Sequence, residues 1–228
     1  VLVNSLKDND PAVRATAIGG LYTEDMIPLL IKSLQDENAE VRANAAQMLG
    51  LLHAPEAAVP LMTVLTDKIS VVRMRAAEAL GKIGEVQALT PLLGILNDVN
   101  IGVREKVIFA LGQIKDTVAV TALIEALKDA NPQIRIAAVR ALSHIRDPRA
   151  IPSLYALLKD KNPDIRKIAA ESIKLHTDIQ SLISGLDDSN FIVRENVAYV
   201  LWLMTGKDYG LDKAKWTAWF QNESRDKM

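Results

Sequence analysis

Arginine and aspartate residues recur along the chain at a fixed spacing, and together they could form ion pairs or bind anions. Each arginine follows Val or Ile, and an aspartate precedes it by six positions. The seven pairs are Asp8 and Arg14, Asp36 and Arg42, Asp67 and Arg73, Asp98 and Arg104, Asp129 and Arg135, Asp160 and Arg166, and Asp188 and Arg194. Because charges repeated in every unit serve the unit, we predict a structural ladder in which each arginine bonds an aspartate of its own or the adjacent repeat. A row of anion-binding arginines is the alternative.

Residue types that commonly support catalysis or metal binding do not form a recognisable motif. The histidines are His53, His144 and His176; no two are four residues apart, and none is followed by an acid. There is no cysteine, and no Gly-x-Ser-x-Gly segment occurs. Gly206-Lys207 lacks the other glycine and the Ser or Thr of a phosphate-binding loop. We therefore predict a noncatalytic protein with no catalytic residue, no metal site and no cofactor.

The positions around each arginine predict the helices that carry the charged residues. Apolar residues stand one position before and three, seven and ten positions after Arg73, a spacing that places them on one helix face. A shorter apolar segment precedes each aspartate, such as residues 61–65, so each repeat holds two helices. Gly50, Gly81 and Gly112 stand eight positions after their arginines, and we predict that they loosen the helix ends.

Helix starts and the repeat length together predict the fold class. Asp or Asn stands four positions before six of the seven arginines, where its side chain can cap the following helix. Ile69 is the exception, and we predict that Ser70 caps that helix instead. No segment alternates as a strand does, so we predict an all-α fold. Successive arginines are 28 or 31 residues apart, a unit too small to bury its own apolar stripe, so the repeats must stack as a solenoid.

The repeat consensus resembles a known family. Its pattern is Pro-Leu-x-x-x-Leu-x-Asp-x-x-x-x-Val-Arg-x-x-Ala-Ala-x-x-Leu-Gly-x-Ile, which is similar to the short HEAT-like repeat of the phycobilisome-lyase type. The resemblance implies a right-handed α-α superhelix of about seven two-helix repeats, with the second helices on its concave side. We assign residues 1–205 to this solenoid and residues 206–228 to a C-terminal capping segment. Leu6 aligns with Leu65, which predicts a first repeat truncated at its N-terminus and further sequence upstream.

The C-terminal segment differs from the repeats in composition. Seven of the ten aromatic residues follow residue 190, and the Trp-rich segment is similar to the tails of bacterial HEAT-repeat proteins. Trp216, Trp219 and Phe220 would share one helix face. We predict that this face covers the exposed stripe of the last repeat, because a terminal repeat needs a cap.

The solvent-facing side of the second helices is the predicted binding surface. Val71, Met74, Phe109 and Ile136 are apolar at positions where a solvated helix favours polar residues, and they cluster over three adjacent repeats. Apolar residues flanked by mixed charges are typical of a protein-binding patch. The predicted partner-binding residues are Val71, Met74, Arg75, Glu78, Glu105, Phe109, Ile136, Arg140, Lys167 and Glu171.

These patterns favour a scaffold that binds another protein or an extended peptide and is monomeric alone. The resemblance leaves a second function open, a phycobilin or tetrapyrrole lyase or a chaperone-like subunit of one. A third, a DNA binder similar to HEAT-like DNA-repair glycosylases, is disfavoured because 27 basic and 28 acidic residues give a net charge of -1. No apolar run is long enough to span a bilayer. The compartment is left open, with the cytoplasm as the default expectation.

Overall fold

The computed structural model describes residues 2–176, 178–187 and 191–225. Within these ranges it contains fifteen α-helices and no β-strand. In chain order the helices are α1 (Leu2–Ser5), α2 (Pro11–Ile18), α3 (Ile27–Ser33), α4 (Ala39–Leu51), α5 (Ala58–Thr63), α6 (Ser70–Ile83), α7 (Leu89–Gly94), α8 (Ile101–Ile114), α9 (Val120–Ala126), α10 (Pro132–Ile145), α11 (Ile151–Ala156), α12 (Pro163–His176), α13 (Ile179–Gly185), α14 (Phe191–Thr205) and α15 (Lys213–Arg225). The predicted all-α fold is confirmed.

Each repeat consists of a short helix followed by a longer one. The first helices, α3, α5, α7, α9, α11 and α13, are six or seven residues long. The second helices, α4, α6, α8, α10, α12 and α14, are 13 to 15 residues long. Short helices are marginal alone, so their stability must come from packing against the longer helix. The two-helix repeat predicted from the spacing of the arginines is confirmed.

Side-chain caps begin most of the second helices. Asn38, Asn100 and Asn131 each accept a hydrogen bond from a backbone amide of the first turn that follows. The prediction that Ser70 caps α6 is wrong, because Ser70 is the first helical residue and Ile69 takes the extended cap conformation. The amide of Ile69 donates to Asp67 Oδ1 at 2.8 Å, so the aspartate sets the start of α6 without a capping side chain.

Residues up to Leu123 form one compact unit, and residues from Ile124 form a second. In the first unit, the second helices lie close enough for backbone to contact backbone. A Cβ atom added at Gly50 would lie 2.7 Å from Ala79 Cα, and one at Gly81 would lie 2.6 Å from Ala110 Cα. These two glycines therefore allow close helix packing, a different role from the predicted loosening of helix ends. Gly81 is followed by two further helical residues.

In the second unit, α10 packs on α12, α13 packs on α14, and α15 packs on α13. Trp216 of α15 is fully buried, and its Nε1 donates to the carbonyl oxygen of Gly210 at 3.0 Å. The ring centroids of Tyr209 and Trp219 lie 5.0 Å and 5.9 Å from that of Trp216, both in edge-on geometry. Trp219 and Phe220 are half-buried. The tail thus supplies apolar surface to the end of the second unit.

Candidate binding surfaces

Each ladder arginine contacts two repeats at once. Arg42 of α4 donates from Nε and Nη2 to the two carboxylate oxygens of Asp67, at 2.7 Å and 3.0 Å. Its Nη1 donates to the backbone carbonyl oxygen of Asp36 at 2.8 Å. The guanidinium therefore binds the backbone of its own repeat and the carboxylate of the next repeat. The bidentate contact with the carboxylate favours arginine over lysine.

The same arrangement recurs along both units. Three further arginines donate from Nε to the aspartate carboxylate of the next repeat. The distances are 2.9 Å from Arg14 to Asp36, 2.7 Å from Arg73 to Asp98 and 3.0 Å from Arg135 to Asp160. Ladder arginines also donate from Nη1 to the backbone carbonyl oxygen of the aspartate in their own repeat. These bonds join Arg14 to Asp8, Arg73 to Asp67, Arg104 to Asp98, Arg135 to Asp129 and Arg166 to Asp160. Asp188 lies outside the described residues, and the Arg194 guanidinium lies 5.5 Å from the Phe191 ring centroid.

The ladder arginines hold the carboxyls of Asp36 and Asp98 in the charged form. Hydrogen bonds from Arg14 lower the pKa of the Asp36 carboxyl, and those from Arg73 lower the pKa of the Asp98 carboxyl. Each of these carboxylates also accepts a backbone amide two residues further on, at 2.9 Å and 2.8 Å. With their donors committed in this way, Arg14 and Arg73 have few free donors to bind a dissolved anion.

In the first unit, the predicted binding residues of α6 and α8 are accessible to different degrees. Val71 is 38% exposed and Phe109 is 37% exposed, and Glu105 is exposed as well. Met74 is half-buried, and its Sδ lies beside Gly102, where an added Cβ would approach it to 3.2 Å. This face therefore presents apolar side chains from two neighbouring helices.

Glu78 lies at the centre of a charged cluster on that face. Its side chain is 18% exposed, and its carboxylate lies 3.3 Å from Lys106 Nζ and 3.6 Å from both Arg75 Nη1 and Lys82 Nζ. Burial raises the pKa of Glu78, but the three cations outweigh that effect and hold the pKa below its ordinary value. Lys106 Nζ also lies 5.8 Å from the Phe109 ring centroid. Arg75 and Glu78 are thus engaged with each other, and Glu78 is also engaged with Lys106 of α8.

Three apolar residues on this side were missed by the sequence analysis. Val99 is 93% exposed, Ile69 is 38% exposed and Ile101 is 46% exposed, all at or just before the starts of α6 and α8. A signal existed, because Asn38 and Asn100 occupy the place of Ile69 in the two neighbouring repeats. The turn position of Ile69 was interpreted only as a missing helix cap, and the predicted binding surface included only positions within the helices.

In the second unit, the remaining predicted residues lie on α10 and α12. Ile136 is half-buried, and Arg140, Lys167 and Glu171 are exposed. Lys167 and Glu171 line a cleft between α12 and α14 with a volume of about 290 Å³. The structure therefore places two of the predicted residues of α12 at the edge of a concave site.

The cleft adds residues that were not predicted to bind a partner. On α12 these are Arg166 and Lys174, and on α14 they are Tyr199 and Leu203. Tyr199 is 44% exposed, and its ring stacks on Trp202 with centroids 5.6 Å apart. Tyr199 stands five positions after its repeat arginine, as Phe109 and Glu171 do after theirs, so extending the same sequence column to the last repeat would have found it.

The described part of the chain contains neither a cluster of metal-ligating side chains nor a helix that could span a membrane. In residues 2–176, 178–187 and 191–225, no group of three or more His, Cys, Asp or Glu side chains could hold a metal ion. None of the helices within those ranges combines the length and the apolar character needed to cross a bilayer. The side chain of His176 lies outside what the structure describes.

Comparison with known proteins gives one family. The family model for HEAT repeats matches residues 27–104, 94–174 and 120–202, which is more than half of the chain. A sequence search of curated proteins gives no match.

Solved structures with the same fold are numerous. One is a chain in the structure of the complex of CpcE and CpcF of phycocyanin lyase from Nostoc sp. PCC7120. It is 21% identical to this chain with a TM-score of 0.61, and the match covers 93% of this chain and 89% of that chain. A designed armadillo repeat protein in complex with the peptide (KR)4 is 20% identical with a TM-score of 0.59, covering 77% and 98%. Escherichia coli YibA is 25% identical with a TM-score of 0.53, covering 86% and 75%.

Proposed function

This chain belongs to the HEAT-repeat family, and from that premise we propose that it is a noncatalytic scaffold that binds another protein or an extended peptide. The proposed binding surface is the solvent-facing side of the second helices. One observation carries the proposal: the side chains at two repeat positions, one and five residues after the arginine, are exposed or half-buried on α6, α8, α10 and α12, in both units. Met74 of α6 and Lys167 of α12 occupy the first position, and Phe109 of α8 and Glu171 of α12 occupy the second.

The physical character of these positions supports a protein partner. Each unit presents both apolar and charged side chains, the mixture found at transient protein interfaces. Their regular spacing from helix to helix suits an extended chain, whose own side chains recur at regular intervals. The similarity to the armadillo protein that holds the peptide (KR)4 supports the same kind of ligand. A net charge of -1 favours a protein over a nucleic acid.

Peptide selection tests this proposal without a known partner. The whole chain is immobilised and used to select octapeptides from a phage-displayed library, and the affinities of the selected peptides are measured by fluorescence anisotropy. Met74→Ala combined with Phe109→Ala should weaken the binding of peptides that occupy the first unit at least tenfold, because both side chains would lose their contacts with the peptide.

The matched control removes exposed apolar surface elsewhere in the first unit. Val59 and Val118 are 57% and 66% exposed, and Val59→Ala with Val118→Ala should leave the affinities unchanged. Circular dichroism should show the same helical content in all three proteins. Equal affinities for both double variants would place the interface elsewhere, and failure to select any peptide would contradict the scaffold proposal.

A second candidate function comes from a different class. The similarity to the CpcE–CpcF complex of phycocyanin lyase favours a bilin or tetrapyrrole lyase, or a chaperone-like subunit of one. Incubation with phycocyanobilin separates the two candidates. A bound bilin would shift its visible absorbance and co-elute with the protein in gel filtration, whereas the scaffold proposal expects the free-bilin spectrum and separate elution.

A further inference from the structure

The cleft between α12 and α14 carries more cationic than anionic side chains, and two of its lysines form no ion pair within the described residues, unlike the lysines around Glu78. It is lined by three cationic side chains, Arg166, Lys167 and Lys174, and by one carboxylate, that of Glu171. Within the described residues, neither Lys167 nor Lys174 forms an ion pair, whereas the cations around Glu78 are satisfied by that carboxylate. Glu195 of α14 does not line the cleft, and its Oε2 lies 3.2 Å from Lys159 Nζ. The cleft is therefore locally positive.

The wall that α14 contributes is aromatic and apolar. Tyr199 and Leu203 line it, and the ring of Tyr199 stacks on that of Trp202. A volume of about 290 Å³ lies just below the range of about 300–1,000 Å³ for sites that enclose a small ligand. Such a cleft suits a few side chains of an extended segment, with their methylene stems on the ring and their charged ends near the lysines.

From these observations we propose that the cleft binds an acidic segment of the partner protein. The proposal rests on the scaffold function and specifies the chemistry of one part of its ligand. Lys167 and Lys174 provide the charge that attracts carboxylates, and Tyr199 provides the surface on which the chain of the segment packs. The specificity is opposite to that of the armadillo protein, which holds the basic peptide (KR)4. Electrostatic attraction of this kind weakens as salt concentration rises.

Short charged peptides test the proposal directly. Fluorescein-labelled (DE)4, (KR)4 and (SG)4 are titrated with the whole chain, and binding is followed by anisotropy at low and at physiological salt. The expected result is binding of (DE)4 alone, with an affinity that falls as salt is added. Lys167→Glu with Lys174→Glu should weaken binding of (DE)4 at least tenfold, and Tyr199→Ala should weaken it by a smaller factor.

A second double variant controls for net charge. Lys128 and Lys207 are exposed lysines of the second unit that do not line the cleft, and Lys128→Glu with Lys207→Glu changes the total charge by the same amount. This variant should bind (DE)4 within about twofold of the unaltered chain, since long-range attraction is screened at physiological salt. Equal weakening in both double variants would reduce the effect to overall charge and overturn the proposal. Preference for (KR)4 would also overturn it.

The two peptide experiments distinguish failure of the cleft proposal from failure of the scaffold proposal. If (DE)4 does not bind while peptides from the library still do, the cleft inference fails and the scaffold stands. If neither binds, the scaffold proposal fails as well. If biliverdin, whose propionates are also carboxylates, binds in place of (DE)4 and is lost with Lys167→Glu and Lys174→Glu, the cleft serves a tetrapyrrole and the peptide proposal is overturned.

Discussion

Arg42 of α4 and Arg166 of α12 occupy the same position in their repeats and have different surroundings. Each donates from Nη1 to the backbone carbonyl of its own repeat aspartate at 2.8 Å. Arg42 is 8% exposed and holds the Asp67 carboxylate with a two-point contact, while Arg166 is exposed and lines the cleft beside α14. The position of an arginine in the repeat fixes its backbone contact, and its neighbours decide whether it is structural or accessible.

The two regions also differ in helix packing. In the α4–α6–α8 region, glycine allows backbone to contact backbone, and the ladder arginine is enclosed. In the α12–α14 region a cleft lies between the two helices. A repeat protein can therefore keep one fold throughout while the packing between its second helices differs from one region to another.

Replacement of the two arginines is the strongest test of this comparison. Arg42→Met should lower the free energy of unfolding by about 2–4 kcal/mol, because it leaves the Asp67 carboxylate nearly buried without its cation. Arg166→Met should lower it by less than about 1 kcal/mol, since an exposed arginine contributes little. Urea denaturation followed by circular dichroism measures both. Similar losses at the two positions would contradict the division into structural and accessible arginines.

Glycine substitutions test the difference in packing with a smaller effect. Gly81→Ala should cost about 1–3 kcal/mol, because the new methyl group meets the backbone of Ala110. Gly185→Ala in α13 should cost less, since the nearest atom, at 3.1 Å, belongs to the Val197 side chain, which can move. The control is Gly94→Ala at the end of α7, where no atom lies within 4 Å and the change should be neutral or stabilising by up to about 1 kcal/mol. Thermal melts rank the three variants, and an equal loss for Gly81 and Gly94 would refute the role of close packing.

Exchange of the capping residues is the mildest test. Ile69→Asn should stabilise the protein by about 0.5–1 kcal/mol, because it supplies the side-chain cap that α6 lacks. Asn162→Ile should destabilise it by about the same amount, since Asn162 Oδ1 accepts from the amide of Asp164 at 2.8 Å. Chemical denaturation of the two single variants gives both values. If Ile69→Asn destabilises the protein, the isoleucine contributes to packing more than a cap would.

The sequence was sufficient for the repeat and for its charged columns because both depend on local spacing. Helix periodicity and the fixed offset between Asp36 and Arg42 can be read along one stretch of chain. The sequence could not decide between an aspartate of the same repeat and that of the next, since both choices satisfy the same charge. In the structure, Arg42 contacts both aspartates: it donates to the backbone carbonyl of Asp36 in its own repeat and to the side chain of Asp67 in the next.

The candidate binding surfaces were predicted less completely, for a geometric reason. Lys167 and Glu171 were found because they share one helix face, which a single-helix pattern predicts. Lys174 lies seven residues after Lys167 on the same face of α12, so the single-helix pattern could have included it. Leu203 joins the cleft only because α14 lies beside α12, a contact between repeats that offsets within one helix do not describe. The close approach at Gly81 was misread for the same reason, since the atom that excludes a side chain belongs to the next repeat.

The ladder has a consequence for how such a chain can change length. Arg42 needs only an aspartate at the corresponding turn of whichever repeat follows, and Asp98 stands in the same relation to Arg73 as Asp67 does to Arg42. Excision of residues 68–98 would join Asp67 to the turn that follows Asp98, and Arg14, Arg42 and Arg135 would keep their carboxylate partners. Duplication of the same stretch would add one more bond of the same kind. The bonding pattern tolerates gain or loss of whole repeats far better than insertion of a few residues within one.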